Sequence, residues 1–319
     1  MASATPLAWA VLASICWALN SFQLGIIAEE VTSPGDANLS AAFVVWTSCG
    51  VLGLVLLLYK AMTTGVLKGI NGRKNMAQSY AAGFCSAGGM LVLSLALASD
   101  PESAGFIASV MPLSGLFVSV IAWIILSEKL TGPQMVGIVI AVSGPIVMAL
   151  ADKSVASLTG IAGGAGAALL LGTSNFMRRV VMTQGCRDPM DVQMLVWLAF
   201  GTAAVAALVV VFATGRGLRG LDSARHLLFA IGAGFAQAFG SLSFQFALKG
   251  QVGPATAIGN TMGVGVLLLQ ILFLHPPLPA MKIMGMCLCI LGASVLALSP
   301  KRLPETQAEP ETNLIAQQA

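Results

Sequence analysis

Charge is scarce in this 319-residue chain. Asp, Glu, Lys and Arg make up 9% of it, where an ordinary soluble domain has roughly 25%. Histidine is nearly missing, with two residues. Each shortage excludes something. Apolar residues reach 57% and mean hydropathy is +0.88, so a water-soluble fold of this length has too few polar residues to cover its surface. His226 and His275 both stand at the edges of apolar stretches, and neither His-Glu-x-x-His nor Gly-x-Ser-x-Gly occurs, so the common hydrolase signatures are lacking. The six cysteines show no zinc spacing and no disulfide framework. Cys16, Cys49, Cys85, Cys287 and Cys289 fall within apolar stretches, and Cys186 falls in a connection. No catalytic residue, metal or cofactor is expected, and the basic connector 60–76 suits anionic headgroups rather than nucleic acid.

What is present is apolar length. The charges cluster, leaving ten uncharged stretches near 6–28, 39–59, 77–99, 104–126, 133–151, 158–177, 192–214, 227–248, 254–274 and 283–299. Crossing a ~30 Å hydrocarbon core takes about 20 helical residues. Barrel strands would need only ~10, with inside and outside alternating, and no such alternation runs through the chain. Each span must satisfy its own backbone hydrogen bonds, because lipid offers none.

The chain also repeats itself. Val45-Trp46-x-x-x-Gly50 returns as Val196-Trp197-x-x-x-Gly201, and Gly83-Phe84-x-x-Ala87-x-Gly89 returns as Gly234-Phe235-x-x-Ala238-x-Gly240, both at an offset of about 151 residues. Gly137-x6-Gly144 is matched by Gly285-x6-Gly292, and Asn20-Ser21-Phe22 sits opposite Ser174-Asn175-Phe176. Residues 13–22 thus match part of the sixth span, so the first span reads as a retained helix rather than a cleaved signal. Two copies of five spans each must enter a bilayer in opposite directions, because five is odd. The expected fold is an all-α integral membrane protein, with ten transmembrane helices as two inverted five-helix repeats. Residues 1–151 form one repeat, 152–299 the other, and 300–319 a polar, disordered tail. Inverted repeats characterise many secondary transporters, whose substrate site lies near mid-bilayer between the halves. Lys and Arg concentrate on cytoplasmic sides. Eleven fall on the side shared by both termini and five, including Arg216, Arg219 and Arg225, on the other. Both termini are therefore expected in the cytoplasm.

Ser127-Glu128-Lys129-Leu130-Thr131-Gly132-Pro133-Gln134-x-x-Gly137, with Gly144 beyond and Pro112 before, resembles the closing stretch of an EamA-type repeat of the drug/metabolite transporters. Gly172-Thr173-Ser174-Asn175-Phe176 resembles the opening of such a repeat, and Trp17 partly matches it in the first copy. The resemblance covers nearly all of 6–299 and implies a ten-helix carrier of small metabolites. Pro276 stands where the first copy has Glu128, and Gly263 where it has Pro112. These motifs specify fold better than substrate.

Candidate site residues follow from polarity within the spans. Gln237, Ser241 and Gln245 recur every fourth residue, which stacks them on one helical face. Their counterparts are Ser86, Met90 and Ser94. Asn20 and Asn175 are read as matching amides in spans one and six. Both roles stay open for these residues: lining a substrate site, or bracing helices. In the ninth span Gly259-Asn260-Thr261-Met262-Gly263 weakens the helix, and Pro112 does the same in the fourth. Gly259, Gly263 and Pro112 are thus candidates for a break or gate, and Asn260 and Thr261 for substrate contact. Arg178 and Arg179 close the sixth span, either anchoring it at the headgroups or reaching in to hold an anion. No ionisable side chain is found in mid-span, and every Asp and Glu sits in a connection or at a span end, which argues against a buried carboxylate carrying protons. The expectation is a carrier for a small polar metabolite, neutral or anionic, partnered by that solute and the bilayer. A receptor or scaffold derived from a carrier, or an intramembrane enzyme, is the alternative.

Overall fold

The structure, a computed structural model, describes residues 5–30, 34–63, 65, 67–99, 110–111, 113–150, 158–184, 186, 188–213, 223–274 and 279–299. Among them every regular element is a helix: α1 Pro6–Glu30, α2 Pro34–Met62, α3 Gly72–Ser99, α4 Leu113–Leu126, α5 Gly132–Leu150, α6 Leu158–Thr183, α7 Pro189–Ala213, α8 Ala224–Ala247, α9 Val252–Gly259, α10 Met262–Leu274 and α11 Ala280–Leu298. Pro112, the segment 100–109, His275 with Pro276, and the tail 300–319 lie outside the described residues. Among the described residues six helical segments are long and apolar enough to cross a membrane, with α9 and α10 counted as one of them. Leu113–Leu126, Gly132–Gly144 and Ala280–Leu296 are apolar but shorter. This is a multi-pass integral membrane protein.

Local chemistry sets several helix ends. Pro6 and Pro189 open α1 and α7, where the missing N–H costs nothing and φ is preset. Thr131 and Gln134 form a reciprocal capping box at the start of α5: Gln134 Oε1 accepts from Thr131 N at 2.9 Å and Thr131 Oγ1 from Gln134 N at 3.4 Å. The end of α4 is a left-handed cap. Ser127 takes φ 53, and Glu128 N donates back to Ala122 O at 3.2 Å, as when glycine ends a helix this way.

The halves meet through small residues. A Cβ on Gly50 of α2 would lie 2.5 Å from Gly201 Cα of α7, and one on Gly201 would lie 3.0 Å from Gly50 Cα. These glycines are each other's repeat counterparts. Gly53 faces Trp197 and Leu198, so the chain advances along α2 while receding along α7, and the two run antiparallel. Around the crossing Val45, Trp46, Cys49, Val196, Trp197 and Phe200 form a buried cluster. The α5–α11 crossing repeats the arrangement: a Cβ on Gly137 would meet Gly292 O, and one on Gly144 would meet Gly285 O. The remaining contacts come in matched pairs. Gly83 of α3 packs on Val196 and Ala199 of α7, while Gly234 of α8 packs on Val45 and Ser48 of α2. Likewise α1 packs on α8 as α6 packs on α3. Close approach of small residues is how helices associate in lipid, where apolar burial supplies no drive between them.

The outer faces are apolar. Trp123, Ile124 and Ile125 of α4, Val205 and Val209 of α7, and Leu272 and Phe273 of α10 are all exposed. Several polar side chains turn inward, among them Asn20, Ser86, Arg178, Gln193 and Gln245, which is the inverse of a soluble bundle and suits a hydrocarbon surround.

Candidate functional site

The ninth predicted span is interrupted. Helix α9 ends at Gly259 and α10 begins at Met262, with Thr261 Oγ1 donating to Ile258 O at 2.7 Å. A hydroxyl competing for a backbone carbonyl, next to a glycine, favours such a stop. Asn260 Nδ2 donates to Ser114 Oγ of α4 at 3.0 Å, and Thr261 Oγ1 pairs with Ser14 Oγ of α1 at 3.2 Å. Both polar residues at the break therefore bridge to other helices. Gly259 lies against Trp17 and Phe244, whose rings are 5.2 Å apart. Gly263 is partly buried.

Deeper in the bundle, Arg178 is buried to 3% exposure. Its Nη2 donates to Ser86 Oγ at 3.1 Å and its Nη1 to Ser241 Oγ at 3.3 Å. Ser86 Oγ is also 2.8 Å from Ser174 Oγ. Gln193 of α7 completes the cluster. In the amide orientation that satisfies its neighbours, its oxygen accepts from Trp197 Nε1 at 2.7 Å and from Ser241 Oγ at 2.8 Å, while its nitrogen donates to Ser241 O at 3.0 Å. Arg178 has five N–H donors, its two interhelical hydrogen bonds end on neutral hydroxyls, and Nε meets no acceptor. Among the described residues no carboxylate pairs with it. Burial of Arg178 corrects the expectation that no ionisable side chain lies in mid-span, and of the two readings left open for it the structure shows the inward one. The reason is length: α6 runs on to Thr183 rather than ending at 177, which leaves Arg178 more than a turn inside the bundle.

Arg179, one residue on, points elsewhere. Its Nε donates to Glu128 Oε1 at 2.6 Å and its Nη1 to Leu248 O at 2.7 Å, while Glu128 Oε2 accepts from Val252 N at 3.2 Å. The pair ties the ends of α4, α6 and α8 to the start of α9. Gln134 Nε2 donating to Gln251 Oε1 at 2.8 Å adds α5. A second tie joins Lys60, at the end of α2, to Asp188 and Asp191 at the start of α7; Asp191 Oδ2 also accepts from Gly69 N at 2.7 Å. The short 184–188 connection between α6 and α7 puts both ties at one end of the bundle.

The α8 stripe spans this interior. Gln237 Oε1 accepts from Asn20 Nδ2 at 2.7 Å, Ser241 belongs to the arginine cluster, and Gln245 lies one turn further on. Asn20–Gln237 joins α1 to α8 as Ser174–Ser86 joins α6 to α3, and Gln237 is the repeat counterpart of Ser86. The partner of Asn20 across the repeat is therefore Ser174, a correction to the pairing with Asn175. Asn175 is only partly buried; the offset between the opening helices is 154 residues, 174 − 20, whereas Asn175 would need 155, and the preceding position is the one turned inward. Gln245 differs from the rest of its stripe. It is 0% exposed, and neither its Nε2 nor its Oε1 has a partner. Each orphaned polar group of this kind costs about 1–3 kcal/mol.

Sequence reasoning missed Gln193, Ser174, Ser14, Ser114 and the Lys60–Asp188–Asp191 cluster. Gln193 carried a usable signal, a glutamine one turn before the repeat's Trp197. The serines carried none, because serine is common at close helix crossings.

Residues 4–150 match the EamA-like transporter family. The sequence has no significant match among curated proteins. One solved crystal structure, described only as that of a protein, superposes with a TM-score of 0.72 at 15% identity, over 92% of this chain and 96% of that one. At that identity the likeness is one of fold.

Proposed function

Over residues 4–150 the chain carries the EamA-like unit of the drug/metabolite transporter superfamily, and from that premise we propose that the whole protein is a ten-helix carrier. It moves a small polar metabolite by alternating access, and its solute binds as an anion at Arg178. The repeats are 1–151 and 152–299, lying upside-down to each other, with both termini cytoplasmic. Antiparallel running of the counterpart pairs α2–α7 and α5–α11 supports the inversion, and the clustering of Lys and Arg supports the orientation.

The observation that carries the reading is Arg178. A guanidinium taken out of water without a counter-ion is costly, by several kcal/mol, and an ionised group inside a membrane bundle marks a solute path by default. Ser86 and Ser241 hold the fork in place, and together with Ser174 they connect α3, α6 and α8. A carboxylate or phosphate docking there would contact both halves at once. Movement of the halves about the Gly50–Gly201 crossing would then expose it to one side of the membrane and afterwards to the other. Family likeness favours transport over catalysis.

The test combines binding and flux. A panel of sugars, sugar phosphates, nucleotide sugars and amino acids is screened by thermal shift. A saturating ligand at roughly 100 times its Kd adds about 2.7 kcal/mol of apparent stability. Anionic members should stabilise the wild type and leave Arg178→Gln unmoved, while Arg178→Lys, lacking the fork, binds weakly. Saturable counterflow in proteoliposomes separates a carrier from a pore. Undiminished anion transport by Arg178→Gln overturns the reading.

A further inference from the structure

Resting on the reading of Arg178 as the anion contact, we infer that Gln245 is a second recognition element, and that the solute is a short organic anion bearing a hydroxyl or amide group roughly 5–6 Å from its charge. The argument begins with the α8 face. Gln237, Ser241 and Gln245 stack on one side of the helix, and the first two have partners, Asn20 for Gln237 Oε1 and Arg178 and Gln193 for Ser241. Gln245, the third, is completely buried with both ends of its amide unpartnered. A methionine or leucine would fill such a position without stranding a donor and an acceptor.

The chemistry of the amide narrows the ligand. Gln245 presents an N–H₂ donor and a carbonyl acceptor together, so its complement is a group that also does both: a hydroxyl or a primary amide. Four residues of helix separate it from Ser241, a rise of about 6 Å, and Ser241 Oγ lies 3.3 Å from Arg178 Nη1. A ligand whose charge sits on Arg178 and whose hydroxyl sits on Gln245 therefore spans about that distance. Inorganic phosphate is too short to reach both, and an alkyl phosphate reaches Gln245 with nothing to offer it. Discrimination follows from the orphaned amide: a site built to bond a hydroxyl rejects the analogue that lacks it.

Matched probes test this on the full-length protein in detergent. Binding of glycerol 3-phosphate, propyl phosphate and inorganic phosphate, and of 4-hydroxybutyrate and butyrate, is measured by calorimetry for wild type, Gln245→Leu, Gln245→Met and Arg178→Gln. The wild type should prefer the hydroxylated member of at least one pair by tenfold or more. Either Gln245 variant should collapse that ratio towards one by weakening the hydroxylated ligand alone, with thermal stability kept or raised. Gln245→Met, close in volume, serves if Gln245→Leu does not fold. Persistence of the ratio in both Gln245 variants, or equal affinity of the wild type for inorganic phosphate, overturns the inference while leaving Arg178 in its role. Failure of every anion to bind the wild type, or full binding by Arg178→Gln, overturns the anion site and this inference with it.

Discussion

Adding one methyl group at Gly50 tests the close crossing of α2 and α7. An alanine Cβ there would lie 2.5 Å from Gly201 Cα and 3.1 Å from Gly201 N. Ordinary carbon–carbon contact is about 3.5–4.0 Å, so α2 and α7 must part by roughly 1 Å. Both obstructing atoms are backbone, so no rotamer change relieves them. Overpacking of this kind costs about 1–3 kcal/mol, partly masked because alanine is a better helix former than glycine by about 0.8–1 kcal/mol. Gly25→Ala removes the masking. Gly25 lies in α1 with nothing within 4 Å of its added Cβ, so it gains the propensity without the clash. The expected difference between Gly50→Ala and Gly25→Ala is therefore about 1–3 kcal/mol, read as the displacement of unfolding midpoints in detergent. Gly50→Ala with Gly201→Ala should cost less than the sum of the singles, because the first methyl already separates the helices at the point where the second sits. Equal stability of Gly50→Ala and Gly25→Ala would refute the crossing.

Ser127→Gly should stabilise the chain by about 0.5–1 kcal/mol, because Ser127 holds φ 53, a conformation that costs a side-chain-bearing residue about that much or more; denaturant titration checks it. Lys60→Met should destabilise by about 3–5 kcal/mol, leaving Asp191 buried without its cation. Adding Asp191→Asn should recover part of that loss, and a further fall in the double variant would contradict the pairing. Burial holds the Cys186 thiol above its ordinary range, with the nearby Asp188 and Asp191 carboxylates adding to the rise. Thiolate is the reacting form, so alkylation by a water-soluble maleimide should be slow at neutral pH and accelerate only at higher pH than for a free thiol. Asp191→Asn should shift that profile downward.

The repeat was legible because its glycines are contacts. Gly50 and Gly201, Gly83 and Gly234, and Gly144 and Gly292 recur in the sequence, and each marks a close approach of a neighbouring helix, by backbone at Gly50 and Gly201 and by the Ser48 side chain at Gly234. The interruption near Asn260 was legible for a similar reason, since glycine next to side chains that compete for backbone bonds seldom sustains a helix. Rotation about a helix axis was not legible. Arg178 and Arg179 differ by about 100° around α6, and that turn alone decides which one enters the bundle and which pairs with Glu128. The same limit applies to the amide pairing, where a difference of one residue moves the inward position from Asn175 to Ser174. Partners far apart in the chain, such as Lys60 with Asp188 and Asp191, leave no periodic trace.

The copies match in packing but differ in electrostatics. Lys60 with its two aspartates and Arg179 with Glu128 fasten one end of the bundle, and the sequence has Pro276 where the first copy has Glu128. Suppose, on the proposed inverted arrangement, a gene were rearranged so that residues 152–299 were translated first and still entered the bilayer in the original sense. It would build the same interlocked glycines, yet its charged clasps would face the other compartment. Such a rearranged chain would separate what the duplicated scaffold contributes from what these few ions add, since the one is indifferent to the order of the units and the other is not.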